Sequence, residues 1–243
     1  MNDHRTKRPG LQRSLGAMTL AALLWGLSGC ATPPADPKPA AAPPVQPVPF
    51  DEAVLKAAND LFSRAQLPAA GAQSPAKHVL VIDPLIDGMT GAQSIATRSM
   101  EARLVELVKE KYPQFAVQPF STAAVAQSPI VLVGTFTGVN KEGKTEGVRE
   151  AYRVCLALAD LKSGKVISKG TARAKPEGVN ITPTAYFKDS PTWAPDPATE
   201  GYIKTCQGTK PGDPINSAYV DRILTAALIS EAIDAYNDRQ YQK

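Results

Sequence analysis

Arg149-Glu-Ala-Tyr-Arg-Val-Cys-Leu-Ala-Leu-Ala-Asp160 is the stretch that decides the fold. Successive side chains of an extended chain point to opposite sides. Tyr152, Val154, Leu156 and Leu158 therefore share one face, and Arg153, Cys155, Ala157 and Ala159 share the other. Lys162-Ser-Gly-Lys165 makes a tight turn into a further strand over 166–174. Upstream, the polar Lys141-Glu-Gly-Lys-Thr-Glu-Gly147 turns the chain back from a strand over 130–139. These three strands form an antiparallel meander with 149–160 in the middle.

Moving outward, His78-Val-Leu-Val-Ile-Asp83 is a short apolar run stopped by Pro84, which reads as a buried strand. A loop with Gly88 and Gly91 leads to a helix over 92–111, where Ile95, Met100, Leu104, Leu107 and Val108 make an apolar stripe. Phe115-Ala-Val-Gln-Pro119 is a second strand and 121–127 a short helix. A strand–helix–strand unit of this length is most simply a parallel crossover. Before it, 51–66 places Val54, Leu55, Ala58, Leu61, Phe62 and Ala65 at helical spacing, with Asp51 and Glu52 suiting the helix dipole. After the meander, 217–236 is helical, with Val220, Ile223, Leu224, Ala227 and Leu228 on one side. The expected fold class is α/β: a mixed sheet of about five strands, flanked by helices and closed by a C-terminal helix.

Between meander and last helix, 176–216 contains seven prolines together with Trp193, Tyr202 and Cys206. We read it as a long irregular loop, a class often functional. Cys155 faces the small residues of its strand, so whatever carries Cys206 lies across that face. Cys155 and Cys206 either form a disulfide that pins the loop as a flap or remain two separate buried thiols. Tyr186, Phe187 and Trp193 are candidate anchors of the flap and candidate partner-binding residues.

Of 27 basic and 23 acidic residues, the first 29 positions hold Arg5, Lys7, Arg8 and Arg13 against Asp3 alone. The rest is nearly neutral and has no basic block, so nucleic acid is not the expected partner. Histidine occurs twice, as His4 and His78. A multi-histidine zinc site or a histidine-pair relay has no residues to build it once the first segment is removed.

That first segment is an address. A basic start precedes Leu15-Gly-Ala-Met-Thr-Leu-Ala-Ala-Leu-Leu-Trp25, too short to cross about 30 Å of hydrocarbon. It ends on Leu27-Ser28-Gly29-Cys30, which resembles the bacterial lipobox. The resemblance implies that residues 1–29 are cut off and that Cys30 is lipidated. The acyl chains then exceed the two signals needed for stable anchoring. Ala31 after the cysteine implies delivery to the outer membrane. An ordinary signal peptide with an incidental cysteine is the alternative. Eight prolines among residues 32–49 favour polyproline II, a semi-rigid stalk reaching about 55 Å. The expected organisation is 1–29 signal, 30–50 lipidated cysteine and linker, 51–216 periplasmic α/β domain, and 217–243 C-terminal helix.

The order of strands and helices, with Ala157-Leu-Ala-Asp-Leu-Lys-Ser-Gly-Lys-Val-Ile167 as its hairpin, resembles a periplasmic α/β domain of envelope lipoproteins. These include the outer-membrane activators of penicillin-binding proteins and the globular part of the curli secretion lipoprotein; the amino-terminal domain of the Tol–Pal β-propeller protein is more distant. Two blocks, Val81-Ile-Asp-Pro-Leu-Ile-Asp-Gly-Met-Thr-Gly-Ala-Gln-Ser94 and Gly201-Tyr-Ile-Lys-Thr-Cys-Gln-Gly-Thr-Lys-Pro-Gly-Asp-Pro214, are similar to proteobacterial envelope proteins that continue into tetratricopeptide helices and an OmpA-like domain. Glu231-Ala-Ile-Asp-Ala-Tyr236 resembles the opening of such a repeat. This implies either a longer chain or a shortened relative, and gives no peptidoglycan-binding residues.

Asp83, Asp87, Thr90 and Ser94 surround a strand-to-helix loop, where α/β sheets bind ligands and a helix N-terminus favours anions. The phosphate-loop lysine is missing, and Asx turns with helix capping account for all four. Asp83 and Asp160 are acids at strand ends with nothing in their spacing to pair them. His78 starts a strand, and Thr97-Arg-Ser-Met-Glu101 reads as the exposed turn of a helix. No catalytic, cofactor or metal residues are expected. The functional expectation is a non-enzymatic, outer-membrane-anchored periplasmic lipoprotein that binds or regulates a protein partner in envelope assembly, with peptidoglycan synthesis as the setting implied by resemblance. The alternative is an oligomeric secretion component like the curli lipoprotein.

Overall fold

A computed structural model describes residues 46–67, 77–190 and 196–238. All lie in the compact unit Pro43–Lys243. The signal segment, Cys30, most of the Pro-rich stretch, Trp193 and 239–243 lie outside the described residues.

β1 (His78–Ile82) pairs in parallel with β3 (Phe115–Gln118) on one side and β4 (Ile130–Val139) on the other. β4, β5 (Ala151–Asp160) and β6 (Lys165–Ala174) form the antiparallel meander, with Val133 opposite Ala157 and Ala157 opposite Lys169. The order β3-β1-β4-β5-β6 is the crossover followed by the meander that the patterning predicts. A sixth, two-residue strand was not foreseen. Pro84 interrupts the line of β1, and pairing with β4 resumes as β2 (Ile86–Asp87) opposite Thr135 and Phe136.

The alternation of β5 sorts the core in two. Val154, Leu156 and Leu158 meet α1 (Phe50–Ser63) and α2 (Ile95–Lys111) on one face. Cys155, Ala157 and Ala159 meet α3 (Thr122–Val125), α5 (Pro197–Gln207), α6 (Ser217–Val220) and α7 (Ile223–Asn237) on the other. Ile95 is not part of the α2 stripe: as first residue of the helix it is 47% exposed.

On the first face α1 lies directly on β6. Ser168 donates its hydroxyl to the Leu61 carbonyl (2.6 Å), and a Cβ on Gly170 would overlap the Ala57 carbonyl. Glycine is required there by close approach rather than by a turn. Gly170→Ala is expected to cost about 1–3 kcal/mol through overpacking. The check is a lower urea midpoint at unchanged slope; an unaltered midpoint would mean that α1 does not rest on the strand. The Pro-rich stretch ends by docking on the same edge. Val48 donates to Arg173 O (3.0 Å) and accepts from Lys175 N–H (2.8 Å), while Pro47 and Pro49 beside it have no N–H to offer. The linker thus ends at Val48, which covers the edge strand.

Two expectations are corrected. The stretch 176–216 is not an irregular loop. It holds α4 (Ala185–Asp189) and the eleven-residue α5, which has Asp196 as N-cap, Pro197 in its first turn and Gly208 at its end. Nor is 217–236 one helix: the chain breaks at Asp221 and Arg222 between α6 and α7. The break rotates the apolar stripe. Tyr219, Ile223, Ala227 and Ile233 are buried, whereas Leu224 and Leu228 are 51% and 59% exposed. No described helix is long and apolar enough to cross a membrane.

Candidate functional site

The Cys155–Cys206 disulfide places α5 across β4 and β5, with the two Cα atoms 6.1 Å apart. Cys206 sits on a helix, so a helix rather than a flap is pinned to the small-residue face. One turn earlier, Tyr202 reaches between the strands. Its hydroxyl accepts the Gly134 N–H (2.7 Å) and has the carbonyls of Gly134 (3.0 Å) and Pro84 (3.1 Å) within reach of its proton. Tyr219 of α6 stands edge-on to it, with ring centroids 5.6 Å apart. The Tyr219 hydroxyl donates to Asp83 Oδ2 at 2.6 Å.

Asp83 is thus the buried centre of a three-residue constellation at the carboxyl end of β1. Its own N–H continues the sheet to Leu132 O (3.0 Å). Burial pushes its carboxyl up to about 8, against the opposing hydrogen bond from Tyr219 and with added repulsion from Glu101. It is therefore mostly protonated at neutral pH. Burial and the neighbouring carboxyl also hold both tyrosine hydroxyls well above their ordinary range. The group is a set of hydrogen-bonding acids, with no nucleophile–base pair within it.

Two cavities open beside Asp83, separated by Pro84 and Ser230, which line both. The first, of about 150 Å³, lies between the end of β1, α5 and the α6–α7 pair. The second, of about 370 Å³, lies where β1 and β3 part. There α2 leaves β1 towards one face and α3 leaves β3 towards the other, a topological switch point. In this second cavity Glu101 accepts the Leu85 N–H (2.7 Å) and faces Arg98 (3.3 Å), which also reaches Asp234 of α7 (3.1 Å). Burial raises the Glu101 carboxyl to about 7, despite Arg98 and the Leu85 hydrogen bond. Burial likewise raises Asp234.

Of the four loop residues named from sequence, three serve the backbone. Asp87 Oδ1 accepts from Met89 N, Thr90 N and Thr90 Oγ1, and Ser94 forms a capping box with Thr97. The α2 N-terminus is already occupied by its own chain, since Ile95 and Ala96 donate to the carbonyls of Thr182 and Asn180. Asp83 alone stands apart, and capping does not account for it. Asp160 accepts from Lys162 N and Ser163 N in its own turn and makes no hydrogen bond with Asp83. His78 begins β1 beside Phe115. The turn 97–101 is exposed only in part: Arg98 is exposed, but Thr97 and Met100 are fully buried, and Glu101 lines the larger cavity. Phe187 of α4 lines the smaller cavity, and Tyr186 stacks edge-on against Tyr236 of α7. Tyr219, Glu101, Gln93 and Asp234 were not singled out from sequence. Only Asn216, which caps α6 through Ala218 N, carried a local signal for the Tyr219 turn. Among the described residues no three His, Cys, Asp or Glu side chains gather as a metal site requires.

No protein-family model matches the chain. No curated protein matches it either. Solved structures similar to it include LpoB of E. coli, 12% identical, covering 71% of this chain and 90% of that one, with a TM-score of 0.34. They also include the C-terminal domain of LpoB from Salmonella enterica, 16% identical, covering 50% and 98%, with a TM-score of 0.32. The likeness is low. At such TM-scores the architecture of this chain rests on its own strand order and register.

Proposed function

We propose that the chain is an exported, lipid-anchored module of the bacterial outer membrane that binds or regulates a periplasmic protein partner, in the setting of peptidoglycan assembly. The observation that carries the reading is the Cys155–Cys206 bridge, buried between α5 and the sheet. Such a bond persists in an oxidising compartment. It agrees with the lipobox-like Leu27–Cys30, the only cysteine left outside the pair. The setting of peptidoglycan assembly comes from the sequence resemblance, and the outer membrane as destination from Ala31.

Tethering confines the domain near the membrane and raises its effective concentration at a partner, provided that the stalk spans the gap. Because Val48 is docked on β6, the free tether ends before it. Deleting residues 32–45 is therefore expected to leave unfolding unchanged and to abolish capture of the partner by crosslinking in intact cells. Capture at the normal level would contradict the proposal. Light scattering tests the same reading: a ring-sized oligomer would favour a secretion component instead.

A further inference from the structure

The smaller cavity holds polar groups that the domain itself does not use. Gln93 is 4% exposed, its Oε1 is fully buried, and its side chain takes no hydrogen bond from the described residues. Asp83, 7% exposed, accepts the Tyr219 hydroxyl at Oδ2, and no hydrogen bond from the described residues reaches its Oδ1. Both line the same cavity, whose other walls include Phe187, Tyr202, Tyr219 and Ile233. An amide and a carboxyl left over in a mostly apolar, aromatic-walled space are what a site looks like before its ligand arrives.

Size and charge narrow the ligand. A cavity of about 150 Å³ takes one six-membered ring. Aromatic walls favour an aromatic occupant through edge-to-face contact. The lining charges, Arg222 and Asp196, are of opposite sign, so neither a cation nor an anion is selected. Asp83 is held mostly protonated by burial, which agrees with a neutral guest. A hydroxyl both donates and accepts, and so can satisfy the Gln93 amide in either orientation and the Asp83 carboxyl.

We propose that this cavity binds a phenol-like group, one aromatic ring bearing a single neutral hydroxyl, with Gln93 and Asp83 reading the hydroxyl. The same chemistry is offered by a free phenolic molecule and by a tyrosine side chain. The site is independent of the anchor and stalk, so it stands or falls apart from the tethering proposal.

The test is a titration of the folded chain followed by amide and methyl NMR shifts, with p-cresol, toluene, benzylamine and benzoate as probes. The expected result is that p-cresol shifts the Gln93 side-chain amide and the Ile229 methyls, and binds about tenfold or more tightly than toluene. Gln93→Met, of similar length and without the amide, is expected to bring that ratio close to one. N-acetyl-tyrosinamide separates the sources: binding at least as tight as p-cresol assigns a tyrosine, and failure to bind assigns a free phenol. Equal binding of toluene and p-cresol, preference for either charged probe, or no shift at Gln93 overturns the proposal. The p-cresol to toluene ratio is read on the unmodified chain, so a variant that fails to fold does not shelter it.

Discussion

Between pH 5 and pH 9 the domain is expected to lose several kcal/mol of stability, and Asp83→Asn to remove most of that loss. In the unfolded chain this carboxyl ionises near 3.8, whereas in the fold it keeps its proton up to about 8. Across that window the native state binds more protons than the unfolded one, so raising the pH favours unfolding. The contribution is whole below about pH 4, falls through the window, and is gone once the folded group has ionised. About four pKa units at roughly 1.4 kcal/mol each give on the order of 5 kcal/mol. Glu101, raised from 4.5 to about 7, adds to the same slope over a shorter range. Asparagine keeps an oxygen for the Tyr219 hydroxyl and has nothing to ionise. Urea unfolding at pH 5, 7 and 9 is the check: the original chain loses midpoint with each step, while the variant stays much flatter. Parallel pH profiles would show that Asp83 is ionised in the fold.

Removing the disulfide is the second large effect. Cys155 and Cys206 are 51 residues apart, and the chain-entropy estimate for closing such a loop is about 4 kcal/mol. Both sulfurs are buried, and α5 carries Tyr202 into the sheet through the same contact. Cys155→Ala with Cys206→Ala is expected to lower stability by about that amount and to expose α5 to limited proteolysis before the meander. Equal melting of the oxidised and substituted chains would mean that Tyr202 and its neighbours hold α5 without the bridge.

The sheet was legible because its signals are local. Alternation along 149–160 set the faces, Lys162-Ser-Gly-Lys165 set the hairpin, and Pro84 and Pro113 bounded the crossover. The meaning given to Cys155, that Cys206 must lie across its face, holds in three dimensions. α5 was hidden by its surroundings. Seven prolines over 176–216 argued for an irregular loop, yet Pro197 is a helix starter behind the Asp196 cap. The stripe on 217–236 misled for a related reason, since its periodicity runs unbroken through a turn where the chain changes direction. The candidate site was the least legible. Asp83 looked like any acid at a strand end. What sets it apart is desolvation under α6, supplied by Tyr219 from 136 residues away. Glu101 lies on a turn whose composition is polar, and only the hydrogen bond it takes from the Leu85 N–H shows it turned inward and half-buried.

The measurement that bears most directly on the account is the mass of the amino-terminal peptide recovered from the envelope of a bacterium that processes lipoproteins. The account predicts a chain that begins at Cys30 and carries acyl groups on it, with Cys30→Ala left unprocessed and unanchored. A chain released by water, still carrying residues 1–29 or cut at another position without lipid, would contradict it.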